Sequence, residues 1–184
     1  MNAPVLIRLC REAATQIYGT RHPTPAYGEA VAQLLMGTAA TESHLVHRRQ
    51  VGFDLVDNDG AWGIWQTESA AVSDSLDYLR RRTDVRLRAA GFLWGAHGGD
   101  MAGLLAMGNH GLMRLIYDWD RFAVLCARLH YIRVADPVPA TLGGQAAYWK
   151  RYYNTTAGKG TPEKYITDWT RLVAPALEAE HGKV

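Results

Sequence analysis

Glu42 is the residue in this chain best placed for acid–base chemistry. It stands in Thr41-Glu42-Ser43, at the far end of a stretch that reads as helical from Thr24. Tyr27, Val31, Leu34, Leu35 and Thr38 recur there at three- and four-residue spacing, and Glu42 prolongs the same face. A carboxylate ending an apolar stripe must be paired, or must sit where the buried face opens into a cleft. Burial disfavours its charged form, so its pKa is expected to rise toward the range of a general acid. Such an acid can protonate the poor leaving-group oxygen of a glycosidic bond. The competing reading of the same spacing is an exposed glutamate near a frayed helix end.

Next comes Gly60-Ala61-Trp62-Gly63-Ile64-Trp65-Gln66. Trp62 and Trp65 offer aromatic faces on which sugar rings stack, and the glycines permit close backbone approach. Gln66 supplies both a donor and an acceptor for a hydroxyl or acetamido group. Either tryptophan taken alone reads equally as core. Glu68 is a second carboxylate. Facing Glu42 it would manage a water; placed just after Thr67 it would complement a helix N-terminus, and this capping role is favoured.

Other clusters carry less. His44 and His47 share i, i+3 spacing near Glu42, but no third zinc ligand follows at a suitable distance. Asp57-Asn58-Asp59-Gly60 has part of a calcium-loop pattern. In that register Leu55 and Gln66 fill the first and twelfth positions, so an acidic turn is the reading. Arg80, Arg81, Arg82, Arg86 and Arg88 form a basic run, read as a solvated helix face that could also meet an anionic polymer or a protein.

The elements that must hold these residues are mostly helical. Helices are expected over 3–18, from Thr24 through Glu42 (Thr24 as N-cap, Pro25 in the first turn), from a Thr67 cap through 80–82, over 83–94, roughly 99–107, and one long helix over 111–134. Asp136-Pro137-Val138-Pro139 stops that helix. A short aromatic helix spans 142–153, and Thr161-Pro162-Glu163 opens a last one to about 178. Residues 44–61 are the least helical, with a short hairpin suggested by Val51, Phe53 and Leu55.

With 184 residues, 48% hydrophobic and 21% charged, the chain reads as one globular domain. A net charge of +2 argues against a dedicated nucleic-acid binder. No apolar run approaches a membrane span of roughly 18 residues, and residues 1–11 lack the pattern of a signal peptide. The chain is therefore expected to be made in the cytoplasm and to need delivery to any target outside the membrane. Cys10 and Cys126 read as buried thiols.

In order along the chain, these motifs resemble the lysozyme-like superfamily, in particular its soluble lytic transglycosylase and goose-type lysozyme group. Glu42-Ser43 is similar to that family's Glu-Ser, and Gly60 to Gln66 to its Gly-Ala-x-Gly-Leu-Met-Gln segment. Ala127-Arg128-Leu129-His130-Tyr131-Ile132 is similar to its Ala-x-x-Tyr-Leu helix. Tyr153-Asn154 with Gly158 resembles its Tyr-Asn-x-Gly motif. Ile64-Trp65 in place of Leu-Met, and the acidic Glu68, depart from the pattern. The resemblance implies a mostly α, lysozyme-like (α+β) single domain with a small irregular or hairpin lobe after the catalytic helix. It implies cleavage of the MurNAc–GlcNAc bond with Glu42 as the single general acid and base, and Ser43, Trp62, Trp65, Gln66, Tyr153 and Asn154 along the groove, with no metal and no cofactor. The implied partner is the peptidoglycan glycan strand. A leaderless chain of this kind looks like a bacteriophage enzyme, released as an endolysin or carried in the virion among other virion proteins. An inert virion protein and a chitinase- or chitosanase-like hydrolase remain as alternatives, as do hydrolysis and anhydro-sugar formation.

Overall fold

The computed structural model describes residues 2–19, 22–49, 60–155 and 158–182. Among them ten α-helices form α1 (Ala3–Gln16), α2 (Pro25–Ser43), α3 (Ser69–Arg81), α4 (Thr83–Trp94), α5 (Met101–Ala106), α6 (Asn109–Asp118), α7 (Asp120–Ile132), α8 (Leu142–Trp149), α9 (Pro162–Leu172) and α10 (Ala174–His181). The fold is mostly α. Extended pairing among the described residues is confined to two isolated bridges, Arg49 with Trp62 and Trp62 with Thr67. The hairpin expected at Val51, Phe53 and Leu55, and the acidic turn at Asp57–Asp59, lie outside the described residues. No helix among the described residues is long and apolar enough to cross a membrane.

Helix α2 is the centre of the domain. Thr24 caps it by accepting from the Tyr27 amide, and Pro25 sits in the first turn, where its missing N–H has no role. A single apolar face was expected; instead α2 is buried on nearly every side from Ala30 to Thr41. Helices α1, α7, α8 and α9 all pack on it, so the whole circumference needs small or apolar residues. Thr38, Thr41 and Ser43 survive there because each hydroxyl donates to the carbonyl four residues earlier, at 2.8 to 2.9 Å. His44 ends the helix in the left-handed region.

The long helix expected over 111–134 is two helices. Trp119 leaves helical geometry at φ −123°, ψ 93°, between α6 and α7. Its ring packs on Trp94 and Phe122. No glycine or proline marks the break, and the apolar period runs through it, so the sequence conceals it. Arg48 fixes this corner with two bonds to Asp120, at 2.7 and 2.9 Å, and one to the Tyr117 carbonyl. The last expected helix is likewise divided, at Val173, into α9 and α10.

Two further expectations change. Thr67 does not cap α3; Glu68 holds the N-cap position, and its side chain makes no capping bond. The basic run is not simply solvated, since Arg88 ties α4 to the carbonyls of Tyr18 and Gly19 and pairs with Asp84. Cys10 and Cys126 are free thiols, both buried.

Candidate active site

The C-terminal end of α2 opens into a groove of about 570 Å³. Glu42 lies on its inner wall and is largely buried. Trp149 Nε1, from the end of α8, donates to Glu42 Oε1 at 3.0 Å. Burial raises the Glu42 carboxyl from its ordinary 4.5 to about 7. The Trp149 bond and the Lys164 charge oppose that rise, and the nearby negative charge of Glu68 adds to it. Glu42 is thus a carboxylic acid that keeps its proton close to neutrality while facing an open groove, the condition for general-acid chemistry.

Glu68, Gln66, Tyr153 and Asn154 line the same groove. Glu68 is exposed at the N-cap position of α3, where its charge suits the helix start although its side chain makes no capping bond, and it shares the groove lining with Glu42. Gln66 Nε2 is engaged by the carbonyls of Gly63 (2.8 Å) and His47 (3.2 Å), which leaves its oxygen to meet a ligand. After α8 the chain widens into a π turn, Lys150–Asn154, that swings Tyr153 and Asn154 to the groove. The Tyr153 hydroxyl donates to the Trp65 carbonyl at 2.7 Å, and burial pushes its pKa up. Lys150 Nζ bonds both Asn154 Oδ1 (2.9 Å) and the Gly158 carbonyl (2.8 Å), closing the loop. Gly158 is required there, because a Cβ would come within 2.2 Å of the Asn154 carbonyl oxygen.

Backbone strain gathers around this site. The non-glycine residues with positive φ among those described are His44, Leu45, Gln66 and Thr155. The first two directly follow the α2 terminus, and the other two line the groove. A β-branched residue at φ 63°, as at Thr155, is sterically unfavourable and persists only where its surroundings enforce it.

Three expected groove residues lie elsewhere. Trp62 and Trp65 are fully buried and line no part of the groove. Trp62 is covered by Arg49, whose guanidinium sits 4.0 Å from its ring centre, and packs edge-on against Tyr117. Trp65 Nε1 donates to the Leu35 carbonyl of α2 at 2.9 Å. The glycine between them serves packing: Gly63 has φ 73°, and a Cβ would meet the Ile116 carbonyl at 2.6 Å. Ser43 is also buried; its hydroxyl donates to Ala39 and accepts from the Leu45 amide, securing the helix end. Trp65→Phe is therefore expected to cost about 1–3 kcal/mol of stability through the lost bond and volume. It should leave glycan affinity unchanged. Urea unfolding and titration with a chitooligosaccharide check both halves, and weakened binding at unchanged stability would place Trp65 back in the groove.

The sequence did not single out Trp149, Lys164, Asp74, His130 or Arg133 for this site. Lys164 sits behind Glu42, with Nζ donating to the Thr41 carbonyl (2.6 Å) and to Asp168 (2.8 Å). Burial works to raise the Asp168 carboxyl, but its bonds from Lys164 and Arg171 prevail and lower it. His44 Nε2 stands 3.5 Å from the same carboxylate. No group of three or more His, Cys, Asp or Glu suited to a metal occurs among the described residues. Trp149→Phe removes a donor that favours the charged form of Glu42, so the Glu42 pKa should rise above about 7. Carbon-13 NMR titration of the Glu42 carboxyl reads this directly. An unchanged or lowered pKa would show that the indole bond does not hold the carboxylate in solution.

No protein-family profile, curated protein or solved structure matches this chain. Fold and site together define a mostly α domain with two glutamates on one groove, the inner one carrying a raised pKa.

Proposed function

We propose that this protein is a lysozyme-like glycosidase that degrades peptidoglycan, a muramidase or lytic transglycosylase cleaving the MurNAc–GlcNAc bond. The observation that carries the reading is Glu42: a largely buried carboxylic acid at the end of the central helix, opening on a groove with a second carboxylate. Glu42 donates its proton to the glycosidic oxygen as the bond to the anomeric carbon breaks. The carbon becomes oxocarbenium-like, and a water adds to it. Glu68 is the base that takes the water's proton. In the alternative course the now ionised Glu42 takes a proton from the sugar's own 6-hydroxyl, which closes a 1,6-anhydro ring. Gln66, Tyr153 and Asn154 border the glycan, and the proposal needs no cofactor. The site of action is the bacterial wall, as a released enzyme or as part of a virion.

Mass spectrometry of products from purified peptidoglycan tests the proposal. New disaccharide ends are expected, reducing for hydrolysis and anhydro for transglycosylation. A folded protein that releases nothing from peptidoglycan would be an inert virion component, and one that cleaves only chitin or chitosan oligosaccharides would be a hydrolase of that other class.

A further inference from the structure

Part of the groove wall carries groups unlike Glu42 and Glu68. Asp74 on α3, with His130 and Arg133 at the end of α7, forms that part. Arg133 Nη1 pairs with Asp74 Oδ2 at 3.4 Å, a long contact to a carboxylate that is 68% exposed. A contact this long to an exposed carboxylate holds weakly. Arg133 itself is three-quarters buried, and its Nε is shielded from solvent with no hydrogen-bond partner. A guanidinium carries five donors in a planar fork suited to a carboxylate, and here the Nε donor is unmet while Nη1 makes only the long contact to Asp74. His130 does not share its charge. Its Nε2 faces the Tyr152 carbonyl at 2.5 Å, and burial holds its pKa below the usual value. Arg133 is thus the cation of the groove lining among the described residues.

We infer that this part of the groove binds a carboxylate carried on the glycan, through the Arg133 guanidinium, with Asp74 as the group it displaces. The inference rests on the peptidoglycan reading, whose lactyl and peptide substituents supply such carboxylates, whereas chitin has none. The protein would therefore prefer acid-substituted strands to neutral ones. Asp74 opposes an incoming anion electrostatically, so its removal should strengthen binding while removal of Arg133 should weaken it. An amine-binding site would give the reverse signs.

The test is calorimetric binding of a soluble GlcNAc–MurNAc tetrasaccharide bearing its peptides, and of the same compound with every carboxyl converted to a methylamide. Wild type should bind the free-acid form about ten- to a hundredfold more tightly, the range of a charge-assisted hydrogen-bonded pair. Arg133→Gln should bind both forms with the affinity wild type has for the amide. Arg133→Lys should keep part of the preference, and Asp74→Asn should increase it. Melting curves establish that each variant is folded, and the wild-type and Asp74→Asn arms decide the matter without the Arg133 variants. Equal wild-type affinity for the two forms, or a preference that survives Arg133→Gln, overturns the inference and leaves the glycan reading standing. Absence of binding to either form removes both.

Discussion

Glu42→Gln is expected to abolish wall-degrading activity and, at the same time, to stabilise the fold at neutral pH. The activity loss follows from the proton that an amide cannot deliver, about a hundredfold to ten-thousandfold in rate. The gain in stability follows from the raised pKa. Below its ordinary 4.5, Glu42 is protonated in both folded and unfolded chains and carries no penalty. As pH rises, the unfolded chain releases the proton first, because the folded group holds it to about 7. Stability attributable to the protonated side chain is therefore lost as pH rises through about 7, and amounts to at most about 3 kcal/mol for this shift. Glutamine does not titrate, and its amide oxygen can still accept from Trp149. The variant should match wild type in acid and exceed it above pH 7. Clearing of permeabilised cells and urea unfolding at the two pH limits read the two effects. Near wild-type clearing would sink the catalytic assignment; equal stability at both limits would show that Glu42 is more hydrated than its burial here indicates.

The parts of this site that were legible in the sequence are those whose cause is local. Glu42 was recoverable because the capped, apolar helical run from Thr24 leads to it, although α2 is buried around its circumference and not along one stripe. The Thr24-Pro25 and Thr161-Pro162 starts were recoverable because capping is a matter of neighbouring residues. Tyr153 and Asn154 emerged from a short motif that does line the groove. What failed was long-range. Trp62 and Trp65 look alike as core or as a sugar platform until α2, Arg49 and Tyr117 are seen to cover them. Trp149 lies more than a hundred residues from the carboxylate it contacts, and no spacing links the two. Arg133 stands just past the end of α7, where an arginine ordinarily only complements a helix terminus. The break at Trp119 was hidden because both halves keep one apolar period.

Glu68→Gln is the second large effect, and it decides how the bond is broken. The sequence favoured a cap at this position, yet the side chain makes no bond to the start of α3 and is exposed in the groove with Glu42. Without a capping bond, its removal should change stability by well under about 1 kcal/mol, the most that dipole complementarity gives at an exposed helix end. Activity should nevertheless fall by about a hundredfold or more, as for loss of a general base. The wild-type products should carry reducing ends, because a base that activates water commits the reaction to hydrolysis. A further effect separates this role from simple electrostatics. Glu68's negative charge contributes to the raised pKa of Glu42, so its loss should lower that pKa and move the alkaline limb of the pH–rate profile toward acid. If Glu68 acts only through its field, that shift is the whole effect, and activity at the new optimum recovers to within severalfold of wild type. In that event the products should end in 1,6-anhydro sugar, and Glu42 must serve as both acid and base. A collapse at every pH, in a protein that melts normally, identifies Glu68 as the second catalytic carboxylate.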